Sequence, residues 1–409
     1  MSDHKIISSL MRPFFRKGQE ATFNVPNALQ EDSRILCIDA GDLSDILFHV
    51  PLLTAIKRRY PKVVMDFLLP EEHAPLVIHT GLAKQCIIYQ DGQLNPWRPA
   101  FASLLRKLGK GRYDVALVMS YEARPRLELA ALASGAGLRY GPSHADAWPA
   151  INFELRTSGL DVGYRADRLL RTAPFLGFQP EELMPGWPLP MDKIRQMAQQ
   201  IHFHKPNPDQ MLIGVDPGLS KTGYGIGLEN LQFLVRQVSS ELACKILPLS
   251  RLEEKDRLNK FEMRLSDVPV GLKRETLLDM ILLLSQCDLF IGTNTDFFHF
   301  AVALGVPAIG LFSLADGPEW VPEGRARAQV IRLTKAEKVD IETLMVAINS
   351  VTDGRTSTTS TVISTAKPLD QPLDQPVAKH DAKPTAKPTA KPTAKPIATD
   401  TSAGSSGHG

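Results

Sequence analysis

The sequence predicts an α/β protein built from two doubly wound, Rossmann-like domains that face each other across a central cleft. The first observation is that short apolar runs of strand length alternate with segments of helical periodicity from residue 34 to residue 353. Such a β-α-β-α order favours parallel sheets covered by helices on both faces. The second observation is a stretch rich in proline and glycine, GFQPEELMPGWPLPMDK, after which the same order begins again.

The elements are predicted in the following order. In the first unit, the strands are RILCIDA, VVMDFLLP, KQCIIYQ and YDVALVMS, and the helices are ILFHVPLLTAIKRRY, EEHAPLVIHTG, FASLLRKLG and RPRLELAALASGAG. In the second unit, the strands are MLIGVDPG, CKILPLS, DLFIGTN and PAIGLFS, and the helices are KIRQMAQQIHF, LENLQFLVRQVSSEL, RETLLDMILLLSQC, DFFHFAVALG and KVDIETLMVAINS. Each unit therefore supplies four strands, enough for a sheet of its own.

These elements divide the chain into five segments. We expect a leader at 1–33, an N-terminal domain at 34–178, a connection at 179–210, a C-terminal domain at 211–350 and a tail at 351–409. The leader fits either an amphipathic segment on an anionic membrane surface or a frayed or docked helix. The tail repeats AKPT and contains no aromatic residue, so we expect it to be disordered, with polyproline II character.

Composition and charge exclude several classes of protein. The 409 residues carry 47 Lys and Arg against 45 Asp and Glu, and the small excess lies between Gly354 and Gly409, where seven Lys or Arg face four Asp. Because the body is nearly neutral, we expect no nucleic-acid partner. No apolar run approaches the roughly 20 residues of a transmembrane helix. The widely spaced Cys37, Cys86, Cys244 and Cys287 fit buried, reduced thiols of a cytosolic protein.

Loops at the carboxyl ends of the predicted strands are the places where such sheets bind ligands. In the first loop, AGDLSD, Asp42 and Asp45 are placed to accept a proton from a bound hydroxyl, although Asp45 or Ser44 could instead cap the following helix. The second loop, GVDPGLSKTGYGIG, matches neither the P-loop nor the Rossmann spacing of glycines. It still offers Ser220 and Lys221 to a phosphate.

The third loop, GTNTD, leads from a buried strand into a helix. The free N–H groups of that helix start could bind an anion, or Asn294, Thr295 or Asp296 could serve only as a helix cap. His299, on the first turn, is either a ligand contact or a polar core residue. No His, Cys and carboxylate residues have the spacing of metal ligands, so we expect no metal held by the protein.

Taken in order, these loops make the sequence resemble glycosyltransferase family 9, which includes the ADP-heptose:lipopolysaccharide heptosyltransferases. The motifs concerned are AGDLSDILFHVPLLTAIKRRYP, DFLLPEEHAPLV, SGAGLRYG and, most specifically, LLDMILLLSQCDLFIGTNTDFFHFAVALGVPAIGLF. They span about residues 34–345. The resemblance implies a GT-B fold, with the acceptor mostly on the N-terminal domain and the nucleotide sugar on the C-terminal domain.

The resemblance also implies an activity, the inverting transfer of a heptose-like sugar from a nucleotide diphosphate to a cell-surface glycolipid such as lipopolysaccharide core. The donor is expected to be ADP-linked, no cofactor is expected, and the enzyme is expected in the cytoplasm, with peripheral contact to the inner membrane. Asp45 matches the family's general base. The implied donor-binding residues are Lys221, Asn294, Thr295, His299, and Glu253 or Glu254.

Two departures from the family pattern leave other functions open. The family's Asp-Ser/Thr-Gly-Pro helix start reads Asn294-Thr295-Asp296-Phe297 here, so a carboxylate stands where glycine would let a phosphate approach. That carboxylate could itself occupy the anion site, or it could repel a diphosphate. Ser44 also replaces the glycine before the base. The alternatives are a divergent donor, a non-catalytic GT-B protein that binds sugar nucleotides or carbohydrates, and a nucleotide-sugar epimerase.

Overall fold

The computed structural model of the protein describes residues 29–352, except for 148, 156–162, 184–185, 205–206, 208, 264, 266–271, 273 and 334–338. Most of the predicted leader and nearly all of the predicted tail lie outside the described residues. The two predicted α/β units are both present, and each is organised around one parallel sheet.

The N-terminal unit contains six strands and five α-helices among its described residues. In chain order these are β1 (Arg34–Asp39), α1 (Leu43–Arg59), β2 (Val64–Pro70), α2 (Ala74–Ile78), β3 (Gln85–Tyr89), α3 (Pro99–Gly109), β4 (Val115–Met119), α4 (Pro125–Ala133), β5 (Leu138–Pro142), β6 (Phe153–Leu155) and α5 (Arg165–Thr172). The strand order across the sheet is β3-β2-β1-β4-β5-β6, and every pairing is parallel. The central strand β4, VALVM, is buried throughout because helices cover both faces of the sheet.

The C-terminal unit repeats this plan with five strands. Its described elements are α6 (Met191–His204), β7 (Met211–Asp216), α7 (Leu228–Glu241), β8 (Cys244–Pro248), α8 (Lys255–Glu262), α9 (Leu277–Leu284), β9 (Leu289–Gly292), α10 (Asp296–Leu304), β10 (Ala308–Ser313), β11 (Ala328–Leu333) and α11 (Ile341–Thr352). The sheet order is β11-β10-β9-β7-β8, again parallel. The carboxyl ends of β7 and β9, which are neighbours, bring the second and third predicted loops together.

Helix α1 of the first unit packs against α10 of the second. Phe48 in α1 lies 5.5 Å from the ring of His299 in α10, measured between ring centroids. One continuous apolar core contains Leu47 and Phe48 together with Phe297 and Phe300. The two units are therefore held by shared packing as well as by the polar contacts described below.

All eight predicted strands are present, whereas β5, β6 and β11 were not predicted. β5 contains a glycine and a proline, β6 has three residues, and five of the six residues of β11 are partly buried or exposed. β6 and β11 are edge strands and bury little apolar surface, whereas β5 is mostly buried but its glycine and proline weaken the strand pattern in the sequence. The four cysteines are free thiols, and Cys86 is partly exposed rather than buried as expected.

Candidate active site

The turn after β1 places two aspartates at the start of α1. Gly41 has φ +86°, a left-handed conformation that favours glycine. Asp42 is the N-cap residue, because its Oδ1 accepts a hydrogen bond of 3.0 Å from the backbone N–H of Ser44. The alternative that Asp45 or Ser44 caps the helix is therefore wrong. Asp45 therefore takes no part in capping the N-terminus of α1.

Asp45 is a buried carboxylate with unused hydrogen-bonding capacity. Its side chain is 2% exposed, and Oδ1 has no hydrogen-bond partner among the described residues. The nearest cation is Arg165, whose Nη1 lies 3.7 Å from that oxygen. Burial and the neighbouring Asp42 raise the pKa of Asp45 well above its ordinary value, although Arg165 and Lys221 oppose the shift. A carboxylate with a raised pKa is suited to take up a proton near neutral pH.

Arg165 is held between aromatic rings at the junction of the two units. Its guanidinium carbon lies 3.9 Å from the ring centroid of Trp320 and 5.3 Å from that of Tyr121. Its Nε is buried without a hydrogen-bond partner among the described residues. Stacking of a guanidinium on aromatic rings fixes the direction in which it points, so Arg165 is a fixed positive charge beside Asp45.

The glycine-rich loop after β7 is held in place by Asp316. Oδ1 of Asp316 accepts hydrogen bonds from Thr222 Oγ1 at 3.0 Å, from Ser220 Oγ at 3.3 Å and from Asn294 Nδ2 at 2.9 Å. The backbone carbonyl of Asn294 also accepts from the N–H of Lys221 at 2.9 Å. Two predicted donor-binding side chains, Ser220 and Asn294, thus bind Asp316 in this structure and organise the loop that carries Lys221.

His299 occupies the core rather than an accessible surface. Its Nε2 lies 2.9 Å from Asn294 Oδ1, and its Nδ1 lies 3.0 Å from the hydroxyl of Tyr164. The ring is fully buried, and burial lowers its pKa well below the ordinary value, so the ring is neutral. Direct contact between His299 and the donor, as predicted, does not fit this placement. His299 instead orients the Asn294 amide. Thr295 directly precedes α10 as its N-cap residue.

Five charged or polar side chains form one group, called here the Asp296 cluster: Asp42, Ser44, Lys221, Arg251 and Asp296. Oδ1 of Asp296 accepts from Ser44 Oγ at 2.6 Å and from Lys221 Nζ at 2.7 Å, and Oδ2 accepts from Arg251 Nη2 at 2.5 Å. Lys221 Nζ also donates to Asp42 Oδ1 at 2.8 Å. Burial opposes ionisation of Asp296, but the two cations hold its pKa well below the usual range.

Glu253 and Glu254, the two glutamates implied as donor contacts, lie close to this cluster in sequence and at the same junction. The carboxyl groups of Glu253 and Glu72 share a hydrogen bond, which raises the pKa of Glu72 and lowers that of Glu253. Glu72 belongs to the N-terminal unit and Glu253 to the C-terminal unit, so this contact crosses the junction. Glu254 supports the glycine-rich loop, because its Oε1 accepts from the N–H of Leu219 at 3.2 Å.

Sequence reasoning missed three members of the site, Arg165, Arg251 and Asp316. Arg251 follows the strand CKILPLS directly, and Asp316 follows GLFS, so the expectation that ligands bind at the carboxyl ends of the strands covers both residues. Arg165 follows no predicted strand, and no pattern in the sequence indicates it. Within the described part of the chain, no group of three His, Cys, Asp or Glu residues could hold a metal ion. No helix in that part is long and apolar enough to span a bilayer.

The C-terminal unit matches the model of glycosyltransferase family 9 (heptosyltransferase) over residues 242–347. The predicted resemblance is confirmed. The matched segment contains β9 and the start of α10, and with them two of the five members of the Asp296 cluster, Arg251 and Asp296. The match supports the predicted class of enzyme, a glycosyltransferase. No curated protein sequence matches the chain.

Solved structures extend the likeness to both units. A family 9 glycosyl transferase from Veillonella parvula has a TM-score of 0.65 at 14% identity, covering 80% of this chain and 100% of that one. The ADP-heptose LPS heptosyltransferase II of E. coli has a TM-score of 0.57 at 18% identity, covering 78% and 99%. E. coli heptosyltransferase WaaC with ADP-2-deoxy-2-fluoro heptose has a TM-score of 0.58 at 16% identity, covering 77% and 99%. The predicted fold of the GT-B type is confirmed.

Proposed function

We propose that the protein is an inverting glycosyltransferase that moves a heptose-like sugar from a nucleotide diphosphate to a hydroxyl of a cell-surface glycolipid such as lipopolysaccharide core. The observation that carries this proposal is the buried Asp45 carboxylate, one oxygen of which has no hydrogen-bond partner among the described residues and whose pKa is raised. It lies within electrostatic reach of Lys221 in the opposite unit. A base on one unit and a cation on the other are the two groups that sugar transfer from a diphosphate requires.

The proposed reaction is a single displacement. The acceptor hydroxyl gives its proton to Asp45 while its oxygen forms a bond to the anomeric carbon of the donor. The bond between that carbon and the phosphate oxygen breaks, and its electron pair leaves with the nucleotide diphosphate. Because attack and departure occur on opposite faces of the sugar, the anomeric configuration inverts.

The cations of the C-terminal unit suit the leaving group. Lys221 and Arg251 come from loops after β7 and β8 and converge on one carboxylate, at distances of 2.7 and 2.5 Å. Cations fixed in this way before the reaction stabilise the charge that develops on a departing diphosphate. We propose an ADP-linked donor, because WaaC, a structural neighbour, was solved with ADP and with an ADP-linked sugar.

The test is transfer by the purified full-length protein. ADP-heptose and other ADP- and UDP-sugars are offered with lipopolysaccharide core acceptors of decreasing length, and products are followed by mass spectrometry. We expect a mass gain of one heptose on one acceptor, release of ADP, and an inverted anomeric centre by NMR. Absence of both transfer and nucleotide release with every pair would refute the proposal.

A second candidate is a non-catalytic protein that binds a sugar nucleotide or a carbohydrate. The observation that favours it is the position of Asp296, whose carboxylate binds both cations. This candidate predicts measurable binding of a nucleotide or glycan without transfer or donor hydrolysis. Calorimetric titration combined with the transfer assay therefore separates the two candidates.

A further inference from the structure

Asp296 is the first residue of α10, and all of its strong contacts are with hydrogen-bond donors. Both carboxylate oxygens are used, one by Ser44 and Lys221 and the other by Arg251. The side chain is almost fully buried, with 5% exposure. A buried anion is tolerated here because two cations and a hydroxyl surround it.

The same set of donors is suited to a phosphate group. An ammonium, a guanidinium, a hydroxyl and the N–H groups at the start of a nine-residue helix are the groups with which proteins bind phosphate oxygens. Asp296 presents two negatively charged oxygens to the ammonium, the guanidinium and the hydroxyl, in the manner of a phosphate. A diphosphate that approached Lys221 and Arg251 would meet the like charge of this carboxylate and would have to replace it.

The carboxylate also links the cations to the turn that carries the proposed base. Ser44, which donates to Asp296, directly precedes Asp45, and Lys221 binds Asp42 in the same turn. These bonds cross from the C-terminal unit to the N-terminal unit. Release of Asp296 from the cations would therefore also remove a contact that holds the turn of Asp45.

We propose that Asp296 and the donor diphosphate compete for Lys221 and Arg251, so that this carboxylate sets the affinity of the protein for its nucleotide. The inference rests on the proposed function, because it takes the Asp296 cluster as the donor site. A ligand that must displace a bound competitor binds with a lower apparent affinity, because only the fraction of sites free of the competitor can accept it. Removing the charge of Asp296 should therefore strengthen binding.

The experiment is calorimetric titration of full-length protein with ADP and with inorganic pyrophosphate, which does not depend on the identity of the base. The variants are Asp296→Asn and Asp296→Gly, and Asp192→Asn, an exposed acid in the first turn of α6, is the matched control. We expect at least about tenfold tighter binding of both probes to the two Asp296 variants, the scale of one charge-assisted contact. The control should bind like the unaltered protein.

If Asp296 has only a structural role, its removal should weaken the binding of both probes instead of strengthening it. Losing a buried carboxylate that pairs with Lys221 and Arg251 lowers the melting temperature in either case, but a structural residue would also weaken binding when removed. Ser44→Ala, which keeps all charges, should tighten binding by a few-fold because it removes one of the bonds that hold Asp296. It tests the inference even where an Asp296 variant does not fold.

The outcomes separate the inference from the proposed function. If the unaltered protein binds ADP and no Asp296 or Ser44 variant binds it more tightly, the competition is refuted and the donor site stands. If neither the unaltered protein nor any variant binds either probe, both are refuted. If only the Asp296 variants bind, the competition is established.

Discussion

Replacing Asp45 by asparagine tests the proposed general base, because the change keeps the size of the side chain and removes its ability to take up a proton. Helix α1 should form as before, since Asp42 and not Asp45 provides the cap. The substitution also leaves the ion pairs of Lys221 and Arg251 intact, because these cations pair with Asp42 and Asp296. Loss of activity would therefore report on proton transfer.

The expected loss is large in the rate and small in nucleotide affinity. General-base catalysis contributes about 10²–10⁴-fold, which corresponds to roughly 3–5 kcal/mol of transition-state stabilisation. We expect kcat for sugar transfer to fall by that factor in Asp45→Asn. ADP binding should change far less, because the cations proposed to hold the diphosphate lie on the other unit.

The pH dependence gives a second readout. The base must be ionised, so transfer should fall as the pH drops through the pKa of Asp45. Burial and Asp42 raise that pKa, so the fall occurs closer to neutral pH than for an ordinary aspartate. A carboxyl group whose pKa is raised by folding lowers stability as the pH rises above its ordinary, unfolded-state pKa, and the cost is complete once the pH exceeds the raised pKa. Asp45→Asn should therefore raise the melting temperature at pH 8, and the difference should vanish in acid.

Asp66→Asn is the matched control, because it removes another buried carboxylate of the N-terminal unit. Asp66 lies in β2, where its Oδ2 accepts hydrogen bonds of 2.9 Å from Arg34, Gln85 and Tyr113. Neutralising it should lower the free energy of unfolding by about 1–3 kcal/mol while leaving kcat unchanged in the folded protein. Full transfer activity in Asp45→Asn, or an equal loss in Asp66→Asn, would refute the assignment of the base.

Three further predictions concern the C-terminal unit and the tail. Lys221→Ala should weaken ADP binding by about 1–3 kcal/mol in calorimetry, the cost of one charge-assisted hydrogen bond, and unchanged affinity would contradict a donor site here. His299→Ala should lower the free energy of urea unfolding by about 3 kcal/mol, because it empties a buried ring position and removes the hydrogen bonds of His299 to Asn294 Oδ1 and to the Tyr164 hydroxyl. Deletion of residues 354–409 should leave the melting temperature almost unchanged, and a loss of several degrees would contradict the expectation of a solvated tail.

The sequence located the loops of the site because the rule that finds them is local. A strand that ends in a polar, glycine-containing turn brings that turn to the carboxyl edge of a parallel sheet, whatever the rest of the chain does. The turns of Asp42 and Lys221 were found in this way, and the structure joins them at 2.8 Å. The same rule indicated the turn of Asn294, whose carbonyl binds the Lys221 N–H.

The partners of these residues could not be predicted, because they depend on contacts between distant segments. Whether His299 faces a ligand or the core depends on Tyr164, which is 135 residues away. One carboxylate oxygen of Asp316 accepts hydrogen bonds from side chains of two other loops. Contacts of this kind produce no periodic pattern in the sequence.

Asp296 shows how such a contact decides between two interpretations of the same residue. From the sequence, a carboxylate at the start of this helix either repels an anion or occupies its site. Repulsion would leave the cations free for a ligand, whereas occupation ties them to the protein. In the structure, Lys221 and Arg251 converge on the carboxylate from the loops after two neighbouring strands, which supports the proposed occupation of the anion site. The order of strands in the sheet thus determines which cations Asp296 contacts, and the local sequence does not show this.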